Sequence, residues 1–383
     1  MRIAFTTAFD ALDINTWSGT PFHMAKAFEN QGLQLDYIGP LQRKVTWSFK
    51  VKRTLKKWIG QKESLTYNPV LLKHLAKQVA EKLEKLQPQA VFAPILDPLF
   101  YLECEQPIIF WTDALYASLA GFYPSSHQNT SASIQNIHAL TEQCLARSCL
   151  AIFSSDWAAR CAIERYGADQ KKIKVVPFGA NIDSSFDFSD IKTLIKSRSH
   201  NTIKLLFLGK NWYRKGADIV LNVAKALHAA GHAVELTIVG CLPPAHESIP
   251  PYVKCLGFIS KHTPAGMRNI FDLLCDTHFL FVPSRAEAYG IVFCEANAFG
   301  VPCLTSHVGG IPTIVKNGVN GMTFSLDTAI STYCAYITDL MHDYARYEEL
   351  ALSAFNEYKT RLNWELATKT VKTLIQEALT ENA

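Results

Sequence analysis

Short β-rich runs alternate with amphipathic helical stretches along this 383-residue chain, and that alternation restricts its fold more than any other feature. Arg2–Thr6, Leu35–Ile38, Ala90–Ala93, Ile108–Trp111, Ala151–Ser154 and Lys174–Val176 form one series of expected strands. Lys204–Leu208, Val234–Val239, Phe279–Val282 and Pro302–Thr305 form a second. Stretches such as Pro69–Leu86 and Ala217–Ala230 carry apolar residues at helical spacing between them. A strand that returns through a helix re-enters its sheet in parallel, so the pattern means βαβ units. The polar segment 183–201 divides the two series and reads as a linker. The predicted fold is α/β: two Rossmann-like doubly wound domains, 1–182 and 202–363, facing across a cleft. A chain of this length is too long for one ordinary core and suits two.

Composition removes several function classes. The chain is 48% hydrophobic and 19% charged with a net charge of +4, so no nucleic-acid partner is expected from whole-molecule charge. No stretch reaches the roughly 18 consecutive apolar residues of a membrane span. The opening MRIAFTTAFDALD turns polar too early for a secretory segment and reads as a first strand. Ten cysteines are scattered with no Cys-x-x-Cys pair, as expected of reduced thiols packed in a cytoplasmic protein.

In doubly wound sheets ligands bind beyond the carboxyl ends of the strands, which directs attention to the loops there. One such loop follows Phe279–Val282 and carries Glu287, Tyr289 and Gly290; a helix then begins, with Glu295 in its first turns. Free N–H groups at that helix start suit a phosphate, and Gly290 lets backbone approach a ligand. Carboxylates only accept hydrogen bonds, so Glu287 and Glu295 suit the hydroxyls of a sugar or ribose. A solvated Glu287 and a surface Glu295 fit the spacing equally well. A second loop, in Leu206–Gly216, offers Lys210, Arg214 and Lys215, cations that can neutralise a diphosphate or simply face water. Neither Gly-x-Gly-x-x-Gly nor a Walker pattern is present, so neither a dinucleotide cofactor nor a P-loop is indicated.

Together these segments resemble glycosyltransferase family 4. The resemblance rests on Gly209-Lys210, Lys215-Gly216, Glu287 with Glu295, Gly309-Gly310, Asn317-Gly318 and Asn320-Gly321. It extends to VVPFGANID at Val175–Asp183, similar to the segment entering an interdomain hinge, and to WSGTPFHMAKAFENQG at Trp17–Gly32, similar to the acceptor domain's glycine loop and first helix. It implies a GT-B fold and retaining sugar transfer from a nucleotide-diphosphate sugar to a glycan, lipid-linked or small-molecule acceptor. By that resemblance Glu287 contacts the donor sugar and Glu295 the ribose. Backbone groups of Tyr289, Gly290, Ile291 and Val292 meet the sugar and diphosphate. Lys215 and Lys210 meet the phosphates, Gly19 closes over them, and the base packs near Gly240–Leu242 and Gly257–Ile259. A helix at about 364–383 packs back on the first domain. The pattern departs at Lys210, where arginine is usual, at Ser18-Gly19 in place of a double glycine, and at Thr313, where glutamate is frequent. It departs also at Asp113, where many members place a histidine near the reacting sugar; Asp113 reads equally as a helix cap.

No two aspartates stand two apart, so no Asp-x-Asp metal motif exists, and catalysis is expected without metal or other cofactor, the lysines taking up leaving-group charge. Arg43–Lys62 holds eight basic residues and no acidic one, with Trp47, Phe49 and Trp58 interleaved. That pattern suits an anionic membrane surface and a peripheral, cytoplasmic-face enzyme; a solvated loop or one recognising a phosphorylated acceptor fits the same residues. A non-catalytic nucleotide-sugar binder and a nucleotide-sugar epimerase are the alternatives on this fold.

Overall fold

Apolar runs without alternation belong to strands covered on both faces, and the computed structural model puts them there. It describes residues 1–43, 67–123, 131–182 and 184–381; of the basic stretch Arg43–Lys62 only Arg43 lies among them. The chain divides into two units, Met1–Pro177 with Trp364–Ala383, and Phe178–Asn363. Each is a Rossmann-like, doubly wound α/β unit with a six-stranded parallel sheet.

In the first unit the order is β2-β1-β3-β4-β5-β6, with β1 Arg2–Thr6, β2 Gln34–Ile38, β3 Ala90–Ala93, β4 Ile108–Thr112, β5 Leu150–Phe153 and β6 Ile173–Val175. Every residue of β3, β4 and β5 is buried. On one face the helix Thr20–Asn30 buries Met24, Ala25 and Phe28, and Phe28 meets Phe92 edge-on at 5.1 Å. The helix Trp364–Glu381 packs on the same face. Its Trp364 lies 5.6 Å from the Trp111 ring, and Lys372 Nζ donates to the Gln31 carbonyl at 2.6 Å. The chain therefore ends on the unit in which it began.

In the second unit the order is β12-β11-β10-β7-β8-β9, from β7 Ile203–Leu208, β8 Val234–Val239, β9 Val253–Gly257, β10 Phe279–Val282, β11 Cys303–Ser306 and β12 Gly321–Phe324. The stretch 183–201, read above as a linker, contains the helix Phe188–Ser197. Asp187 caps it by accepting from Ser189 N at 2.7 Å and Asp190 N at 2.9 Å, and Ile191 and Ile195 are buried in the unit. Capping plus an i, i+4 apolar pair outweighs the segment's polar composition.

The amino ends of β7 and β10 hold a buried polar cluster. Arg198, 2% exposed, donates to the Phe299 carbonyl at 2.7 Å, the Gly300 carbonyl at 2.8 Å and the Tyr347 hydroxyl at 2.8 Å. Beside it His278 Nδ1 accepts from Lys204 N at 3.0 Å. Burial first, and the Arg198 charge second, push the His278 imidazole down to about 4. A histidine depressed on folding binds protons more tightly when unfolded, so its contribution is complete above about pH 6.5 and is lost as pH falls towards 4. Urea melts of His278→Gln against wild type between pH 7 and pH 4 are expected to show wild type losing about 3 kcal/mol more. Parallel pH profiles would remove His278 as the cause.

Candidate active site

The strand order of the second unit fixes where a ligand can enter. From β7 the chain winds outward to β8 and β9, then returns to β10 on the other side of β7 and continues to β11 and β12. The order therefore reverses between β7 and β10, which pair through Leu205–Phe279 and Leu206–Leu280. Loops leaving two such strands diverge and open a crevice. The loops here are 209–216 and 283–290, the two segments that the sequence singles out.

Backbone crowding holds these loops together. Gly216 has φ +80°, and a Cβ there would lie 2.3 Å from the Pro283 carbonyl oxygen. Only glycine fits that conformation and that approach. Asn211 Oδ1 accepts from Arg214 N at 2.8 Å and caps the single turn Trp212–Lys215. Lys215 then reaches across to Glu287, and its Nζ pairs with Oε2. Both residues are buried, at 9% and 8% exposure, so neither is the solvated side chain that spacing alone allowed. Arg214 Nη1 stands 3.7 Å from the same carboxylate and donates to the Ala286 carbonyl at 2.7 Å. Ser284 Oγ donates to Glu287 Oε2 at 3.4 Å. Several donors thus converge on one carboxylate, which fixes its direction.

Glu295 is 1% exposed, and its Oε1 is paired with Lys261 Nζ. It stands in the helix Ile291–Asn297, which begins at Gly290. Gly290 has φ +98°, and a Cβ there would meet the Phe293 ring at 2.6 Å. Ile291 and Val292 are half-buried at the helix start. The Tyr289 side chain points inward instead. Its hydroxyl donates to the Phe178 carbonyl at 2.7 Å, and burial holds it well above the ordinary phenol range. Lys210 Nζ lies 5.0 Å above the exposed Phe258 ring, one residue from the half-buried Ile259. Gly209, Gly240 and Gly257 form a bare floor beside them: Gly240 N donates to the Gly257 carbonyl at 2.7 Å, and a Cβ on Gly240 would stand 2.7 Å from the Gly209 carbonyl oxygen.

Lys261 stands outside the sequence motifs. It follows β9, an edge strand whose pattern was not recognised, and only the fold brings it to Glu295. Gly19 and Asp113 belong to the first unit. Gly19, at φ +84°, precedes the helix Thr20–Asn30, and Asp113 follows β4.

Residues 202–343 match the glycosyl transferases group 1 family. The second unit carries a group 1 glycosyltransferase domain. An uncharacterised 41.2 kDa protein of the Klebsiella pneumoniae cps region is 28% identical over 200 residues, 51% of this chain and 53% of that protein. D-inositol 3-phosphate glycosyltransferase of Xylanimonas cellulosilytica is 28% identical over 191 residues, 47% of this chain and 46% of that protein. The matched region thus spans about half the length of these curated relatives. Sucrose-phosphate synthase from Thermosynechococcus elongatus shares the fold with a TM-score of 0.70 at 15% identity over 100% of both chains. Anabaena HepE, solved with UDP-glucose, does so at 0.61 and 17% identity, over 98% of this chain and 100% of that one. The group 1 domain of this chain contains both paired glutamates, Lys210, Lys215 and Lys261.

Proposed function

We propose that this chain is a retaining, metal-independent glycosyltransferase that takes a sugar from a nucleotide-diphosphate donor and passes it to a glycan, lipid-linked or small-molecule acceptor. The observation that carries the reading is the pairing of Lys215 with Glu287 and of Lys261 with Glu295 around the switch point of the group 1 domain. Each pair sets an acceptor of hydroxyl hydrogen bonds beside a cation. A nucleotide sugar presents the matching sequence of ribose hydroxyls, diphosphate and sugar hydroxyls. Glu295 takes the ribose, Lys210 and Lys215 the diphosphate with backbone of Tyr289 to Val292, and Glu287 the sugar. Ile259 borders the base. The roles that the resemblance gives Gly19, towards the diphosphate, and Asp113, towards the reacting sugar, are part of the same proposal.

In the reaction the bond from the anomeric carbon to the β-phosphate oxygen breaks as positive charge grows on the sugar. The acceptor hydroxyl attacks on the face that the phosphate leaves, its proton passes to a phosphate oxygen, and nucleoside diphosphate departs. Lys210 and Lys215 lower the barrier by meeting the charge that develops on the leaving group. The anomeric proton coupling of the product, read by NMR, checks the stereochemistry: an inverted centre would contradict retention.

A lipid-linked acceptor is part of the proposal through the basic, aromatic stretch Arg43–Lys62, which would dock the enzyme peripherally on a cytoplasmic, anionic leaflet. Among the described residues no helix is long and apolar enough to cross a membrane. Co-sedimentation with vesicles containing phosphatidylglycerol is expected at low salt and is expected to fall when Lys52, Arg53, Lys56 and Lys57 become Glu. Equal sedimentation of that variant would contradict the docking.

A further inference from the structure

Lys210 and Phe258 meet although a strand separates them: Lys210 follows β7, Phe258 follows β9, and β8 lies between. The glycine floor makes the contact possible. Gly240 has φ +101°, and a Cβ there would lie 2.7 Å from the Gly209 carbonyl oxygen, so no side chain stands just beyond β8. Its N–H donates to the Gly257 carbonyl at 2.7 Å and draws the end of β9 inward. Over that floor the Lys210 stem reaches the ring, with Nζ 5.0 Å from the Phe258 centroid. Phe258 is 62% exposed, and Leu242, which a Cβ on Gly257 would meet at 3.7 Å, is 66% exposed. Burial within the unit explains neither side chain; a flat occupant laid over the bare backbone between them would cover both. Lys215 is held differently, by the Glu287 carboxylate. A π face holds the Lys210 ammonium without neutralising it and without using up its three N–H donors.

We infer that Phe258 stacks the donor's base and that the base takes the ring from Lys210, so that base binding releases the lysine to the diphosphate. The inference rests on the transferase reading, in which Ile259 borders the base and Lys210 meets the diphosphate. It adds a coupling between the two ends of the nucleotide. Magnitudes decide which partner keeps the ring. An ammonium–ring contact in solvent is worth about two- to fivefold in an equilibrium constant. A base stacked on an aromatic ring is worth about 5- to 150-fold. The base therefore displaces the lysine. A ligand with a base and no phosphate loses the ammonium–ring contact and gets nothing in return. A nucleoside diphosphate replaces that contact with a charge-assisted hydrogen bond to Lys210. Because the coupling is a free energy, it acts equally in both directions: phosphate that draws Lys210 away also clears the ring for the base.

NMR titration of the full chain with uridine, guanosine and adenosine reads the ring directly. The Lys210 ε-methylene protons, assigned by their absence in Lys210→Ala, are expected to be shifted upfield by the Phe258 ring in the free chain. They are expected to lose that shift as one of the nucleosides saturates. Lys210→Ala is expected to bind that nucleoside about two- to fivefold more tightly than wild type, because nothing has to leave the ring, and to bind its diphosphate more weakly. Phe258→Leu is expected to weaken both ligands at least about fivefold, and Phe258→Tyr to restore them. The ring is exposed, so melting temperatures should match wild type in both Phe258 variants. An unmoved Lys210 signal with every nucleoside, nucleoside binding that is equal or weaker in Lys210→Ala, or wild-type affinity in Phe258→Leu would overturn the inference. Binding of UDP, GDP or ADP by wild type alongside such a failure leaves the transferase reading standing; no binding of any of the three would count against that reading instead.

Discussion

Lys215→Met is expected to lower kcat by about 10²–10³-fold with a smaller change in KM for the donor, because the charge it meets grows mainly as the glycosyl–phosphate bond breaks. The residue has a second role that this experiment must separate. Lys215 is buried against Glu287, and removing one member of a buried ion pair leaves the other uncompensated at about 3–5 kcal/mol. Arg214 at 3.7 Å and Ser284 at 3.4 Å soften that loss here. The double variant Lys215→Met with Glu287→Gln removes both charges, so its stability should return towards wild type while turnover stays low. Turnover within about threefold of wild type in a folded Lys215→Met would remove the lysine from the leaving-group role.

Arg198→Ala is expected to destabilise the second unit by about 3–5 kcal/mol, seen as a lower urea midpoint at unchanged slope. Its guanidinium is buried among carbonyls at helix ends: Cys275 of the helix Pro264–Asp276 at 3.2 Å, and Phe299 and Gly300 just beyond the helix Ile291–Asn297. Helix carboxyl ends carry partial negative charge, which a buried cation offsets. Alanine leaves those carbonyls and the Tyr347 hydroxyl without a donor and opens a cavity. Lysine keeps the charge but cannot span the same acceptors, so Arg198→Lys should fall between. The cluster also braces the far end of the helix that carries Glu295, and donor affinity should weaken with it. A loss below about 1 kcal/mol would mean that the guanidinium is replaceable by water.

Central strands were legible because burial on both faces writes an unbroken apolar run: Phe279–Val282 and Val234–Val239 are read to the residue. The edge strands β9 and β12 were not. Val253–Gly257 alternates buried and open positions, and Gly321–Phe324 is four residues with a glycine at its head, so neither stands out from a loop. In the supposed linker the signal was present, as Asp187 followed by Ile191, Leu194 and Ile195, but polar neighbours masked it. The site divides in the same way. Lys210, Lys215, Glu287 and Glu295 follow recognisable strand ends. Their pairings were invisible because Lys215 and Glu287 are 72 residues apart, and because Lys261 follows an unrecognised strand.

Release of nucleoside diphosphate from a panel of UDP-, GDP- and ADP-sugars, with a chelator throughout and with glycan, lipid-linked and small-molecule acceptors, tests the central claim most directly. Wild type is expected to release the diphosphate from one donor at a rate that the chelator does not change, and Glu295→Ala to lose that release. Release that needs a divalent cation, or none from any donor with any acceptor alongside tight nucleotide binding, would contradict a metal-independent transferase and leave a metal-dependent enzyme or a nucleotide-sugar binder in its place.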